Sequence, residues 1–266
     1  MFPPLSSAPA SETTPRPGAL RAGQVAEKTL SGSVDPSSCS ACEGCWLKTE
    51  CVHCHVSIAD LDRLHPAIVK RRVGRGTVLY RTHDPLHNVF SVVTGALKSV
   101  AVSSNGQEKV TSFHFPGEMF GLAAIESGFY TRDAIALDES EVCVIPYTRI
   151  IESSRLPQLQ STLFKLMSRA ITSHQALPEL LESMTAEQRV VAFLLYVARR
   201  HEQSGRDPQR FSLSMTRIDI GSYLGMAHET VTRQLSHLSQ AGIIALREKE
   251  VELLEVARMR DMVAGW

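Results

Sequence analysis

Three patterns of hydrophobic residues follow one another along the chain. Residues 1–36 are rich in Pro, Ser, Ala and Thr and show no hydrophobic period, which predicts a disordered extension. From Val73 to about Pro146, short apolar stretches are separated by Gly, Asn and Asp, as in the strands of an antiparallel β-roll. After Pro157 the apolar residues recur at helical spacing. The resulting segments are 1–36, a cysteine-rich stretch at 37–56, a β-roll at 57–150, a long helix at 155–183 and a C-terminal domain at 184–266.

Five stretches of the central segment are predicted as strands: 77–81, 89–94, 96–103, 108–115 and 141–146. Between the third and the fourth, Asn105-Gly106 is a hairpin signal, because this dipeptide accepts the positive φ angles of a type I′ turn.

Apolar residues of the long helix form a seam whose members are spaced by fours and threes. They are Leu159, Leu163, Leu166, Ala170, Ser173, Leu177 and Leu180. Such a seam is typical of a helix that packs against its copy in a two-fold dimer. An ordinary core-facing stripe has the same pattern, and the sequence leaves both interpretations open.

The C-terminal segment has the pattern of a winged helix-turn-helix, so the whole chain is predicted to have an α+β fold. After a helix at 186–201, two short helices at 216–225 and 228–242 are joined by a turn at Gly225. Two β-segments, at 243–247 and 251–256, follow. Helix-turn-helix domains place their second helix in the major groove of DNA. Six apolar residues are expected to pack the motif: Ile218, Ile220, Leu224, Val231, Leu235 and Leu238.

The second short helix carries side chains suited to reading bases. Arg233 can donate to guanine O6 and N7, and Glu229 can accept from a cytosine amine. Their i, i+4 spacing places both on one face, together with Thr232, His237 and Gln240. The same spacing also suits a solvated ion pair. Ala227, just before the helix, has no side-chain group to cap it.

Charge and hydropathy exclude some classes of protein. Lys and Arg number 28, as do Asp and Glu, which excludes a globally basic nucleic-acid coat but not a locally basic face. The longest apolar run, 190–198, has nine residues, against the roughly 20 needed to span a bilayer. Since the N-terminus also lacks the pattern of a signal peptide, we expect a cytoplasmic protein.

Five of the six cysteines lie close together, with the spacing Cys39-x2-Cys42-x2-Cys45-x5-Cys51-x2-Cys54. In a reducing compartment such a cluster indicates a metal site rather than disulfides. Zinc held by the last four of these cysteines is chemically possible, and the distant Cys143 is then a small apolar side chain of a strand.

The glycine-punctuated roll, the long helix and the stretch TRIDIGSYLGMAHETVTRQLSHL resemble the CRP/FNR family of bacterial transcription regulators over residues 40–256. Glu229, Thr232 and Arg233 are similar to the family's E-x-x-S-R recognition signature, with threonine in place of serine. The resemblance implies a homodimer that binds a palindrome of TTGAT-like half-sites and contacts RNA polymerase.

Oxygen-sensing members of the family hold a [4Fe–4S] cluster through C-x2-C-x5-C and one distant cysteine. The resemblance therefore implies that Cys42, Cys45, Cys51 and Cys143 are the ligands, with Cys39 and Cys54 left over. It further implies that the cluster favours dimerisation and DNA binding, and that oxygen, by degrading it, lowers DNA affinity. At the position of an aspartate on the family's dimer helix, this chain has His174.

The alternative within the family is a cyclic-nucleotide-responsive regulator, whose members use a Gly-Glu pair and an Arg-Ser pair. Here the candidates are Gly117-Glu118 and Arg132, but Asp133 follows the arginine and would repel a cyclic phosphate.

The sequence contains no phosphate loop, nucleophile elbow or HExxH motif, so we do not expect an enzyme.

Overall fold

A computed structural model describes residues 69–103, 105–153, 164, 167–168 and 183–264, without the side chains of residues 149, 152 and 153. The predicted N-terminal extension and all five clustered cysteines lie outside the described residues. So do most of the predicted dimerisation helix, all seven residues of its seam and the nearby His174: Leu159, Leu163, Leu166, Ala170, Ser173, His174, Leu177 and Leu180.

The first described region is an antiparallel β-roll of two four-stranded sheets. Its elements are β1 (Val69–Val73), β2 (Val78–Tyr80), β3 (Asn88–Thr94), β4 (Leu97–Val102), β5 (Glu108–His114), β6 (Met119–Phe120), helix α1 (Ala124–Ser127), β7 (Asp133–Ala136), β8 (Ser140–Pro146) and helix α2 (Tyr147–Ser153). One sheet has the order β1-β8-β3-β6 and the other the order β2-β7-β4-β5.

All five predicted strands are present, with ends that differ by at most one residue. The hairpin between β4 and β5 is confirmed, but its turn is not the predicted type I′. The Gly106 N–H donates to the Ser103 carbonyl at 2.9 Å, the Ser103 N–H donates to Gln107, and Gly106 has a φ of 80°. These bonds are typical of a three-residue loop that ends on a left-handed glycine.

Aromatic and aliphatic side chains pack between the two sheets. The rings of Tyr80 and Tyr130 stack with centroids 3.8 Å apart, and Phe90 stacks on Phe120 at 5.4 Å. Val142 of β8 is fully buried in the same cluster. Because side chains alternate along a strand, the residues next to Val142 lie on the outer face of this sheet.

The C-terminal region is a winged helix-turn-helix, as predicted. Its elements are α3 (Ala186–Gln203), β9 (Arg210–Ser212), α4 (Arg217–Leu224), α5 (His228–Gln240), β10 (Ile244–Arg247), β11 (Glu250–Leu253) and α6 (Val256–Met262). Capping boxes start two of the helices: Thr185 with Gln188 starts α3, and Thr216 with Asp219 starts α4. Within the described ranges, no helix has the length and hydrophobicity that crossing a membrane requires.

The roll and the C-terminal region share one hydrophobic core. Phe113 of β5 is fully buried, and its ring centroid lies 5.8 Å from that of Phe193 and 5.0 Å from that of Tyr223. Phe115 makes an edge contact with Tyr196 at 6.0 Å. The outer face of the sheet containing β4 and β5 is therefore the surface on which α3 and α4 pack.

Candidate nucleic-acid interface and the cysteine of the roll

The turn between α4 and α5 depends on two glycines. Gly225 ends α4 with a φ of 67°, in the left-handed region that favours glycine. A Cβ atom on Gly221 would lie 2.6 Å from the carbonyl oxygen of Met226. The close approach of the two helices therefore requires glycine at 221, and it fixes the angle at which α5 leaves α4.

Helix α5 is divided into a buried and an exposed face. Val231, Leu235 and Leu238 are buried, at spacings of four and three residues. Glu229, Thr232 and Arg233 lie on the exposed face, as the sequence predicts. In the described part of the chain, Glu229 and Arg233 form no ion pair with each other, and Glu229 Oε1 instead lies 3.3 Å from His228 Nε2. The guanidinium of Arg233 is thus left facing solvent.

Two residues of α5 have roles that the sequence did not indicate. His228 is the first residue of the helix, is exposed and contacts Glu229, so it lies where helix-turn-helix proteins contact base edges. Its position at the start of an exposed recognition face was the available signal. The Thr232 hydroxyl donates to the carbonyl of His228 at 2.9 Å, so its proton is used within the helix, whereas the methyl group and the acceptor lone pairs of the oxygen remain available to a ligand.

Two expectations for the same motif need correction or refinement. Ile218 does not pack the motif, because its side chain is 65% exposed. It precedes Asp219, whose buried carboxylate pairs with Lys98 of the roll, and it projects from α4 in a different direction, since successive helical residues are about 100° apart. His237 remains exposed, but its Nδ1 lies 2.7 Å from Glu187 Oε1 of α3. Ala227 makes no side-chain cap, as expected.

The wing is the hairpin of β10 and β11. Glu248 lies at its turn with a φ of 53°, and its carbonyl accepts a hydrogen bond from the Arg217 guanidinium at 3.3 Å. Arg247 and Lys249 are exposed on either side of Glu248. Lys and Arg side chains at such a tip are suited to phosphate contacts, although the exposed carboxylates of Glu248 and Glu250 alternate with them along the chain.

Cys143 lies on the outer face of the roll, away from the space between the sheets. On β8 it is flanked by Val142 and Val144, which pack inward, while Cys143 joins a separate small cluster with Val89, Met119 and Ile145. Its partners across the sheet are Lys70 of β1 and Ser91 of β3. Cys143 is thus partly buried and is held by a strand with neighbours on both sides, on the face that points away from the space between the sheets.

The roll also contains a cavity of about 430 Å³. Arg132 lines it, together with Ser99, Thr111, His114 and the stretch 121–124. Asp133 accepts two hydrogen bonds from Thr82, at 2.7 and 2.9 Å.

The Gly-Glu pair considered for a nucleotide occupies a different position. The Glu118 carboxylate forms an ion pair with Arg200 of α3 at 2.8 Å. At the cavity wall the glycine is Gly121, and the apolar Leu122 follows it. The residue that follows the cavity-lining glycine is therefore apolar and has no carboxylate that could bind a ribose.

Both regions match known protein families. Residues 70–153 match the cyclic nucleotide-binding domain, and residues 188–262 match the Crp-like helix-turn-helix domain. The transcriptional activator protein anr of Pseudomonas aeruginosa is 37% identical over 226 residues, which are 84% of this chain and 93% of that protein. The fumarate and nitrate reduction regulatory protein of Escherichia coli is 32% identical over 232 residues, or 86% of this chain and 93% of that protein.

A solved structure has the same fold. FixK2 from Bradyrhizobium japonicum aligns with a TM-score of 0.66 and 28% identity, covering 73% of this chain and 96% of its own. Regulators of this kind act by binding DNA rather than as enzymes. With its β-roll, its winged helix-turn-helix and relatives that match over most of its length, the chain belongs to the CRP/FNR family of DNA-binding transcription regulators.

Proposed function

We propose that this protein is an oxygen-responsive transcription regulator that senses through a [4Fe–4S] cluster bound by Cys42, Cys45, Cys51 and Cys143. It binds a palindrome of TTGAT-like half-sites as a homodimer. The observation that carries the proposal is the position of Cys143, on the outer face of a strand that is paired on both sides. A ligand there is accessible to a second segment of the chain, and C-x2-C-x5-C supplies three more thiols.

The surroundings of Cys143 fit an iron–sulfur cluster. Four thiolates give such a cluster a net negative charge, and Lys70 lies beside Cys143 in the register of the sheet. Met119, Val89 and Ile145 form an apolar patch next to the thiol, and limited solvent access stabilises clusters of this kind. When bound, the cluster supplies an oxygen-sensitive link between the N-terminal segment and the roll.

The exposed face of α5 supports the proposed DNA target. Arg233 is free to donate two hydrogen bonds to a guanine, and Glu229 is placed to accept from a cytosine amine. Arg247 and Lys249 of the wing supply phosphate contacts that hold the domain on the duplex. Base discrimination and general affinity are thus assigned to different residues.

The homodimer is supported by the helix predicted at 155–183 and by one residue described within that range. Phe164 lies in that helix and is 67% exposed. Packing of this side chain against a second copy would bury apolar surface. Several relatives are named transcriptional activators, and by analogy we assign RNA polymerase as a further partner.

DNA binding with and without oxygen tests the proposal. Protein purified without oxygen is titrated onto a TTGAT palindrome and onto a scrambled duplex, and the titrations are repeated after exposure to air. We expect specific affinity to fall at least about tenfold in air, and to be low in both conditions for Cys143→Ser. Cys54→Ser serves as the matched control and should behave as the wild type.

The alternatives predict different results. Equal affinity in both conditions, together with bound zinc, would support a zinc site on Cys42, Cys45, Cys51 and Cys54. An increase in affinity on addition of a cyclic nucleotide would support the nucleotide-responsive alternative and contradict ours.

A further inference from the structure

Glu118 and Arg200 join the roll to the DNA-binding domain. Glu118 follows β5 in the roll, Arg200 lies near the end of α3, and their side chains are only 15% and 13% exposed. Glu118 Oε1 lies 2.8 Å from Arg200 Nη1, while Glu118 Oε2 accepts the backbone N–H of Phe115 at 3.1 Å. The guanidinium carbon of Arg200 lies 4.9 Å above the centre of the Tyr196 ring. Each charged group is thus held in place by a second contact.

Two more polar contacts cross the same interface. Lys98 of β4 forms an ion pair with Asp219 of α4, and the backbone N–H of Val110 donates to the Ser222 hydroxyl at 2.9 Å. Burial by itself raises the pKa of Asp219, but the hydrogen bonds from Lys98 and Thr216 outweigh it and hold that pKa below its usual value. Asp219 therefore remains charged, and its pair with Lys98 persists at neutral pH.

These contacts involve two different helices of the DNA-binding domain. Arg200 lies on α3, whereas Asp219 and Ser222 lie on α4. Apolar burial between Phe113, Phe193 and Tyr223 is non-directional, so it favours contact but not one orientation. The polar contacts require groups on both α3 and α4 to lie at short distances from groups on the roll. They therefore restrict rotation of the DNA-binding domain relative to the roll. Arg233 stays exposed in this arrangement, which is therefore compatible with DNA binding.

We infer that Glu118 and Arg200 are positioning residues that set the orientation of the winged helix on the roll. In a dimer they would thereby set the distance between the two recognition helices. A buried ion pair adds little net stability but can select one arrangement, and the spacing of half-sites reflects the geometry of the dimer. The inference rests on the proposed homodimer and its palindrome, but not on the half-site sequence or the cluster.

The test measures how strictly the protein selects the spacing of two half-sites. The operator is first selected from random DNA by the wild-type protein, purified without oxygen, so that no half-site is assumed. Affinity is then measured on this operator and on versions with one base pair added to or removed from the central spacer. The ratio of interest is the affinity for the selected operator divided by the affinity for an operator of altered spacing. We expect Glu118→Gln and Arg200→Gln each to reduce this ratio by about threefold or more.

Controls separate orientation from general damage. Glu139→Gln removes an exposed carboxylate elsewhere on the roll, and it should leave the ratio unchanged. Arg200→Lys keeps the charge and should restore most of the spacing preference lost in Arg200→Gln. If Glu118→Gln fails to fold, Arg200→Gln and Arg200→Lys give the same comparison from the other side of the pair.

The outcomes distinguish this inference from the proposed function. An unchanged ratio in folded Glu118→Gln and Arg200→Gln proteins would overturn the inference, even if overall affinity fell equally on all operators. A selected operator without TTGAT-like half-sites would contradict the proposed target but would leave the spacing comparison valid. A selected operator with a single half-site would overturn both the palindrome and the inference.

Discussion

Lys70 and Cys143 lie opposite each other on the antiparallel strands β1 and β8, on the outer face of the roll. If Cys143 is a cluster ligand, this lysine lies beside a group of net negative charge. Lys70→Glu should therefore weaken cluster retention. Both residues are partly exposed, so we expect an effect of about 1 kcal/mol, seen as roughly fivefold faster loss of visible absorbance in air.

Arg72→Glu is the matched control for this prediction. Arg72 lies two residues along the same strand and on the same face, but it is paired with Glu141 rather than with the cysteine. The Arg72→Glu substitution introduces the same change in net charge as Lys70→Glu. Equal decay rates for wild type, Lys70→Glu and Arg72→Glu would contradict a cluster at Cys143.

Thr232 is expected to contact DNA through its methyl group, because its hydroxyl already donates to the His228 carbonyl. Thr232→Ser removes the methyl and should reduce discrimination at one base of the half-site by about 1 kcal/mol. Thr232→Val keeps a methyl and removes the hydroxyl, and should retain the wild-type preference. Binding to a panel of half-site variants measures both, and the opposite ranking would assign base recognition to the hydroxyl.

Arg233→Ala should abolish discrimination at a guanine while sparing general DNA affinity. A bidentate arginine–guanine contact is worth about 1–3 kcal/mol, whereas phosphate contacts by other cations determine most of the salt dependence. Titrations on matched and guanine-substituted operators at several salt concentrations give both quantities. Arg206→Ala, which removes an exposed arginine from the loop after α3, controls for the loss of charge. Equal weakening on all sequences would show that Arg233 contacts the backbone only.

Gly221→Ala should destabilise the DNA-binding domain, because the added methyl would meet the Met226 carbonyl oxygen at 2.6 Å. That atom belongs to the backbone of the turn, so the helices have to move apart. We expect a loss of about 2–3 kcal/mol in the free energy of unfolding, measured by urea denaturation. Gly74→Ala, where the nearest atom is 3.4 Å away, should change stability little. A Gly221→Ala protein as stable as the wild type would mean that the turn is looser than described.

Helices α3, α4 and α5 and most of the longer strands could be predicted from the sequence because their signals are local, whereas β1, α1, α2 and α6 were not predicted. Thr216 and Asp219 mark the start of α4, Gly225 marks its end, and the buried residues of α5 keep helical spacing. The strand Asp133–Ala136 was missed, since its inward residues are small alanines and it begins with an aspartate. Met119–Phe120 is too short for any period to be visible.

The functional arrangement was harder to predict from the sequence, because it depends on contacts between distant parts of the chain. Nothing near Glu118 indicates that its carboxylate pairs with Arg200 of another region, and the Gly-Glu motif pointed instead to a nucleotide. Ile218 fits the apolar period of α4 although it faces solvent. In contrast, the exposure of Glu229, Thr232 and Arg233 follows directly from the helical period of α5.

The central claim is that Cys143 and three of the clustered cysteines hold an oxygen-labile [4Fe–4S] cluster. It is tested most directly by the absorbance spectrum and the iron and sulfide content of protein purified without oxygen, recorded again after exposure to air. We predict a brown protein with about four irons and four sulfides per chain that bleaches in air, and a Cys143→Ser variant without iron. A colourless protein that holds zinc, or a Cys143→Ser variant with full iron content, would contradict the account.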